Sequence, residues 1–359
     1  MKVVDLFCGC GGFSLGAHGA GFDVVSAYDI DPNLTYSFSR NFPKTNLYLE
    51  DIASLTGERI LAAANGVVDG VFGGPPCQGF SDIGHRAADD PRRQLLRHFF
   101  RLVAEVEPTF FVMENVRGLS YSGSRHLLDA ALALVADRYA LLGPHVWDAA
   151  EFGAATRRQR LFVVGIHKDR GDALTLEDVD MRKVPATTVK SAIADLQRAI
   201  RLENRDGYDR WRLTRPGRPS AYATRMRDGS GVFTGHLKSV HAAAVVERFA
   251  ALGPGLTDPI GRHPKLDWQG QCPTLRAGTG ADRGSFQSVR PIHPSEARVI
   301  TVREAARLQG FPDSHRFHPT VWHSFRMIGN SVSPFVATKI FEAVATRLSM
   351  AAPYAIAAE

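Results

Sequence analysis

The chain has 359 residues, 44% of them hydrophobic, and a formal net charge of +6, which suits two domains with a sizeable core better than one small cross-linked module. No run of about 18 uninterrupted apolar residues occurs, and the opening "MKVVDLFCGC" enters a strand pattern directly, so a membrane span and a secretory leader are not expected and a cytoplasmic location is. The four cysteines, Cys8, Cys10, Cys77 and Cys272, fall at spacings that suit neither a disulfide framework nor a four-ligand zinc site; no metal is expected.

Along the first half, short apolar runs alternate with helical stretches: "VVDLF" then "SLGAHGAG", "DVVSAYD" then "NLTYSFSRNF", "NLYLED" then "GERILAAANG", "DGVFGG" then "RRQLLRHFFRLVAEV", "TFFVMEN" then "SRHLLDAALALVADR", and finally "RLFVVGI". Such alternation predicts an α/β fold, a doubly wound, mostly parallel sheet with helices on both faces. Ligands of these sheets bind beyond the carboxyl ends of the strands.

The strand ends carry the chemistry. "DLFCGCGGFSLG" (Asp5 to Gly16) is a strand end, a glycine turn and a helix start, and Asp29 follows Gly9 by 20 residues (29 − 9). That is the layout of a nucleotide-binding first crossover, in which an acidic residue bonds ribose hydroxyls. Ser14 stands where the third glycine of G-x-G-x-x-G belongs, which disfavours a nicotinamide dehydrogenase. A nucleoside cofactor without a pyrophosphate, such as S-adenosyl-L-methionine, needs the glycines and the carboxylate but no phosphate cradle. Asp51, in "EDI" at the end of the third strand, is a second carboxylate placed for an adenine amino group.

In "GGPPCQGFSD" two prolines fix the backbone immediately before Cys77 while flanking glycines permit tight turns, so the loop presents the thiol; the bland alternative is a small buried cysteine in a strand-to-helix turn. "TFFVMENV" ends the fifth strand on Glu114 after an apolar run; a carboxylate at such a rim tends to hold its proton, as a general acid near neutrality requires. "TRRQRLFVVG" places Arg158 and Arg160 on the same side of the run entering the last strand, as functional cations or as a structural ion pair.

Composition then shifts. Residues 1–181 carry 17 Lys+Arg against 23 Asp+Glu (net −6), residues 182–290 carry 19 against 9 (net +10), and residues 291–359 carry 7 against 5. A basic, Arg-, Gly- and Pro-rich segment attached to an acidic one is the footprint of a polyanion-binding module, although a solvated surface gives the same count. Within it only "SVHAAAVVERFAAL" reads clearly as a helix. Order returns with "TVREAARLQG", where Thr301 and Glu304 form a capping box, and with "SPFVATKIFEAVATRLSM", where Ser333 precedes Pro334 at the first helical position. The resulting division is 1–178 plus 320–359 as a catalytic and cofactor-binding domain and 179–319 as a smaller, irregular recognition domain.

These motifs, in this order, resemble the cytosine-C5 DNA methyltransferase family over nearly the whole chain: "DLFCGCGG", "GGPPCQGFS", "ENVRGL", "RRQRLFVVG", "ITVREAARLQGFPD" and "IGNSVSP". The pairing of "PPCQ" with "ENV", which puts Glu114 37 residues after Cys77 (114 − 77), is the specific part. One departure is "GAAT" (Gly153 to Thr156), where the family often has Gly-Val-Pro-Gln. The resemblance implies that the Cys77 thiolate adds to carbon 6 of a cytosine flipped out of a duplex while Glu114 bonds N3 and the amino group, with Arg158 and Arg160 as further catalytic residues. It implies S-adenosyl-L-methionine as cofactor, bound by Phe7, Gly9, Gly11, Asp29, Ile30, Asp51, Pro76, Leu95, Asn330 and Val332, and DNA contacts from Gln78, Ser81 and Arg92. Double-stranded DNA is the expected partner of a monomer that is nucleoid-associated through DNA, with a cognate restriction endonuclease acting separately. The rivals are the family's tRNA-modifying branch, a catalytically silent DNA-binding relative, and a nicotinamide oxidoreductase.

Overall fold

In the computed structural model, which describes residues 1–76, 92–214, 218–278 and 289–355, "KVVDL" forms β1 (Lys2–Leu6), buried at every position after Lys2. A strand apolar on both faces needs cover on both faces. It is the third strand of a seven-stranded sheet of order β3-β2-β1-β4-β5-β7-β6. The order of elements is α1 (Gly12–Gly19), β2 (Asp23–Asp29), α2 (Phe38–Asn41), β3 (Asn46–Leu49), α3 (Gly57–Ala63), β4 (Gly70–Gly73), α4 (Arg92–Val106), β5 (Phe110–Val116), α5 (Ser122–Leu132), β6 (Tyr139–Asp148), β7 (Gln159–His167) and α6 (Leu176–Asp180). β1 to β5 pair in parallel, whereas β7 runs antiparallel to both β5 and β6.

The expected α/β architecture is thus present, with two differences. The run "NLTYSFSRNF" forms only the single turn α2. The strand β6 was not marked by its sequence, because Gly143 and Pro144 interrupt "YALLGPHVWD" and the register shifts between Leu142 and His145. Only residues 149–158 separate β6 from β7, too few for a crossover of a dozen or more residues, so β7 must return antiparallel.

The chain divides into two compact units: Met1–Asp148, Gln159–Lys183 and Pro334–Glu359 form the first, Ala149–Arg158 and Val184–Ser333 the second. In the first, α3 to α5 cover one sheet face through a cluster including Leu96, Phe99, Phe100 and Val103 of α4 against Val71, Phe111 and Met113. On the other face, Phe13 of α1 packs edge-on against Phe72, and Phe341 of the C-terminal helix joins both. That helix approaches α1 so closely that a Cβ on Gly16 would stand 2.3 Å from the Ala337 Cβ.

The second unit comprises α7 (Val189–Ile193), β8 (Ala199–Arg205), β9 (Tyr208–Leu213), α8 (Ala221–Met226), β10 (Val232–Phe233), α9 (Ala243–Ala251), α10 (Val302–Gln309) and α11 (Val321–Asn330); α12 (Pro334–Ala355) returns to the first. Its centre is α10, buried along its whole length, started by the Thr301–Glu304 capping box and stopped by Gly310 at φ 101°. Burying a charged helix requires partners. Arg307 donates to Asp313 and Asp195, and Arg298 donates to Glu304 through two nitrogens at 2.9 Å. Burial alone pushes the Glu304 carboxyl up, but Arg298 outweighs it and holds Glu304 at about 2. Several arginines of this region are therefore internal cross-links. The exposed ones include Arg198, Arg201, Arg205 and Arg212 on and beside the β8–β9 hairpin. No helix among the described residues is long and apolar enough to cross a membrane.

Candidate active site

The carboxyl ends of β1 and β2 build a loop that only glycine can complete. After β1 the backbone turns through positive φ at Phe7 (65°), Gly9 (50°) and Gly11 (83°). Gly11 starts α1, and a Cβ on it would lie 2.2 Å from the Phe42 ring; a Cβ on Gly9 would meet nothing within 4 Å, so the surface over Gly9 is open. The Asp29 carboxylate fixes this loop, accepting the Gly9 amide at 2.9 Å on Oδ2 and the Asp31 amide at 2.9 Å on Oδ1. Burial raises its pKa, and these amide hydrogen bonds oppose the rise.

Ser14, in place of the third glycine, is buried and donates to Asp5 Oδ2 at 2.5 Å. Asp5 is itself fully buried and its pKa is raised well above the carboxylate range by burial. The hydroxyl that breaks the dinucleotide pattern thus partners one oxygen of a buried acid, whose other oxygen, Oδ1, is buried without a hydrogen-bond partner among the described residues.

The next residues leave an apolar surface exposed. Ile30 follows Asp29 and is 67% exposed, an unusual state for isoleucine at a strand end. Asp51 is exposed and accepts the Ala53 amide at 2.9 Å, leaving its other oxygen outside that turn. Pro76 and Leu95 are half-buried. An open glycine, an exposed aliphatic surface and strand-end carboxylates fit a nucleoside, with a flat base on Ile30 and hydroxyls or an amino group on the acids.

At the end of β5, Glu114 is buried and its Oε1 lies 3.0 Å from Arg160 Nε. The register explains the pair. Glu114 stands opposite Phe162 and Arg160 opposite Val116, so the two charged residues are diagonal neighbours on one face of the antiparallel β5–β7 ladder. Burial lowers the Arg160 pKa, while Glu114 and Asp148 oppose that shift. A Cβ on Gly74 would come 2.9 Å from Glu114 Oε2, so the carboxylate packs directly on the backbone that leads into Pro75 and Pro76.

Cys77, Gln78 and Ser81 lie outside the described residues, as does the side chain of Arg92. The loop that ends on Cys77 is described up to Pro76, and it is held by a residue that sequence reading passed over. Asn115 donates from Nδ2 to the Pro75 carbonyl at 3.1 Å, and its Oδ1 accepts the Val116 amide at 2.8 Å. The signal was present in "ENV", next to the glutamate. Gly74 was read as a turn-permitting glycine; its close approach to the Glu114 carboxylate is added by the structure.

The two arginines of "RRQR" part. Arg160 faces Glu114, whereas Arg158 belongs to the second unit, where its buried guanidinium donates to the Leu275 carbonyl at 3.2 Å and the Gly329 carbonyl at 2.8 Å. The expectation of two guanidiniums on one side of a strand assumed that the strand included Arg158; β7 begins at Gln159. Asn330 and Val332 also belong to the second unit: Asn330 is exposed at the end of α11, and Val332 is buried. Gly329 is required there, since a Cβ would stand 2.3 Å from the Ala277 nitrogen.

Comparison with known proteins identifies the family. The family model of the C-5 cytosine-specific DNA methylase matches residues 1–346. The Type II methyltransferase M.XorII of Xanthomonas oryzae pv. oryzae is 42% identical across 94% of this chain and 82% of its own length. The Type II methyltransferase M.DdeI of Desulfomicrobium norvegicum is 32% identical, covering 96% and 88%. Among solved structures, an E. coli prophage-encoded protein described as a candidate DNA modification methyltransferase superposes with a TM-score of 0.84 at 38% identity, covering 97% of this chain and 99% of that one. With the family model matching residues 1–346 and a relative 42% identical across 94% of the chain, the chain belongs to the C-5 cytosine-specific DNA methylase family.

Proposed function

We propose that the protein methylates carbon 5 of a cytosine flipped out of a short duplex DNA target, using S-adenosyl-L-methionine, as the modification partner of a separately acting restriction endonuclease. The observation that carries this reading is Glu114, buried on Gly74 beside the Pro75–Pro76 segment that leads into Cys77 and paired with Arg160. A cytosine ring entering beside that carboxylate places N3 and its amino group where Glu114 can donate and accept. Carbon 5 of cytosine is not nucleophilic. Addition of the Cys77 thiolate to carbon 6 makes it so, Glu114 stabilises the adduct at N3, and loss of the carbon 5 proton after methylation expels the thiolate. Flipping costs a few kcal/mol, repaid by contacts in the pocket, and Gln78, Ser81 and Arg92 are our candidates for holding the displaced strand.

The bound cofactor supplies the electrophilic methyl group. Phe7, Gly9, Gly11, Asp29, Ile30, Asp51, Pro76 and Leu95 are proposed to hold it, with Asn330 and Val332 completing the set. Arg158 is proposed as a positioning residue that fastens the segments around Leu275 and Gly329. A cytoplasmic, nucleoid-associated monomer is the form we expect. Bisulfite sequencing of a plasmid recovered from cells expressing the chain tests the whole reading: no methylated cytosine at any recurring sequence defeats it.

Two narrower results are expected. Asp29→Ala should weaken S-adenosyl-L-methionine binding by about 1.5–3 kcal/mol, the range for hydrogen bonds to a charged group, with DNA affinity little changed; calorimetric titration with unaltered cofactor affinity would leave Asp29 only its role of fixing the Gly9 loop. We assign residues 179–319 to target recognition, supported by the basic balance of that segment and by the exposed Arg198, Arg201, Arg205 and Arg212. DNA affinity should then fall with salt at a slope of about −0.9 per phosphate neutralised, and exchanging 179–319 for the corresponding segment of a relative should move the methylated sequence. An active chimera that keeps the original target would place recognition elsewhere.

A further inference from the structure

Within the second unit, the chain after α9 makes a short, tightly closed hairpin. The Gly255 amide donates to the Lys265 carbonyl at 2.9 Å, the Lys265 amide to the Leu256 carbonyl at 2.7 Å and the Asp258 amide to the His263 carbonyl at 2.8 Å. Two buried charges brace it. Asp258 is fully buried, accepting from Arg248 of α9 and from the Gly261 amide, and the Lys265 ammonium donates to the Phe249 and Leu252 carbonyls at 3.0 and 2.7 Å. Gly261 admits no side chain, because a Cβ would lie 2.5 Å from the His263 ring and 2.9 Å from Asp258 Oδ2. Beneath lies a small apolar cluster of Phe249, Ile292 and Val299.

What this bracing holds out to solvent is apolar. Leu256 is 58% and Ile260 73% exposed, with exposed Thr257 and Arg262 beside them. Burying an aspartate and a lysine under a loop is costly unless each is fully paired, and it gives stability no return from two aliphatic side chains left in water. Rigid support beneath exposed side chains is what a preorganised contact surface requires.

We propose that the 255–265 hairpin reads the target sequence: Leu256 and Ile260 enter the major groove and touch apolar base-edge groups while Arg262 meets the adjacent phosphate. The inference rests on the reading of 179–319 as the target-recognition segment. Duplex DNA is the favoured occupant because the aliphatic pair stands beside the exposed Arg262 within the chain's basic segment, where residues 182–290 carry 19 Lys+Arg against 9 Asp+Glu, a balance complementary to phosphate around a groove. The apolar group that the major groove offers is the thymine methyl, so the target should contain a T·A pair whose methyl is contacted.

The test uses the full chain and its own methylated sequence. In a duplex with uracil in place of target thymine, kcat/KM of the parent should fall several-fold, and L256S/I260S should show no further fall. The double variant should also lose about tenfold in discrimination between the target and a duplex altered at that pair, the scale of one misread base pair. Its salt slope and cofactor affinity should match the parent's. Unchanged discrimination, while the 179–319 exchange still moves the target, would overturn the hairpin assignment alone. An exchange that leaves the target in place would remove the underlying reading and the hairpin with it. A uniform loss of affinity on every sequence would make the hairpin a non-specific contact, and a parent dimer dissociated by L256S/I260S in sedimentation would make it an interface between copies; either result overturns the proposal.

Discussion

Duplex target DNA carrying 5-fluorocytosine, incubated with the protein and S-adenosyl-L-methionine, is expected to yield a denaturation-resistant adduct through Cys77, and Cys77→Ser is expected to yield none while still binding DNA. The adduct is resolved only when the substituent on carbon 5 leaves as a cation, which hydrogen does and fluorine does not. A serine hydroxyl does not replace the thiolate without a dedicated base to deprotonate it. The other thiols make poor substitutes. Cys8, Cys10 and Cys272 are buried, and burial raises the pKa of Cys8 and of Cys272, suppressing their thiolates. A trapped peptide containing any of these three, or methylation by Cys77→Ser at close to the parent's rate, would refute the covalent assignment.

The second large effect concerns the ion pair. Arg160→Leu leaves a buried carboxylate without its guanidinium and should destabilise the protein by about 3–5 kcal/mol. Glu114→Gln should lower methyl transfer by about 10²–10⁴, the usual scale for losing a positioned proton donor, with a modest effect on melting. Combining the two removes both charges, so Glu114→Gln/Arg160→Leu should recover much of the melting temperature lost in Arg160→Leu yet remain inactive. Stability and activity then separate in one double-mutant cycle, measured by denaturant melts and single-turnover methylation. A double variant that loses the sum of the two stability effects would show that the pair contributes no coupling, and an active one would exclude Glu114 from the chemistry.

Much of this was written locally in the chain. The glycine loop and the Thr301–Glu304 cap follow from residue types at short spacing and are found where their patterns put them, while the strand expected to end on Glu114 runs two residues further, to Val116. What was hidden depends on tertiary partners. The direction of β7 follows from the length of one connection, not from its own residues. The separation of Arg158 from Arg160 follows from where a strand begins, and the internal use of Arg298, Arg303 and Arg307 follows from a helix being buried, which no charge count reveals. Asn115 looked like ordinary strand text because its partner is a carbonyl 40 positions away.

The reversed course of β7 also makes the Glu114–Arg160 contact a gauge of sheet alignment. Side chains alternate faces along a strand, so sliding β7 past β5 by one position would turn Arg160 to the opposite face while leaving almost the same number of backbone hydrogen bonds. The ladder alone scarcely distinguishes the two alignments; the guanidinium does, because only one of them neutralises the buried carboxylate. The residue that completes the candidate catalytic pair is in this sense also a folding checkpoint, and a chain that closes its sheet out of step arrives with its acid unpaired.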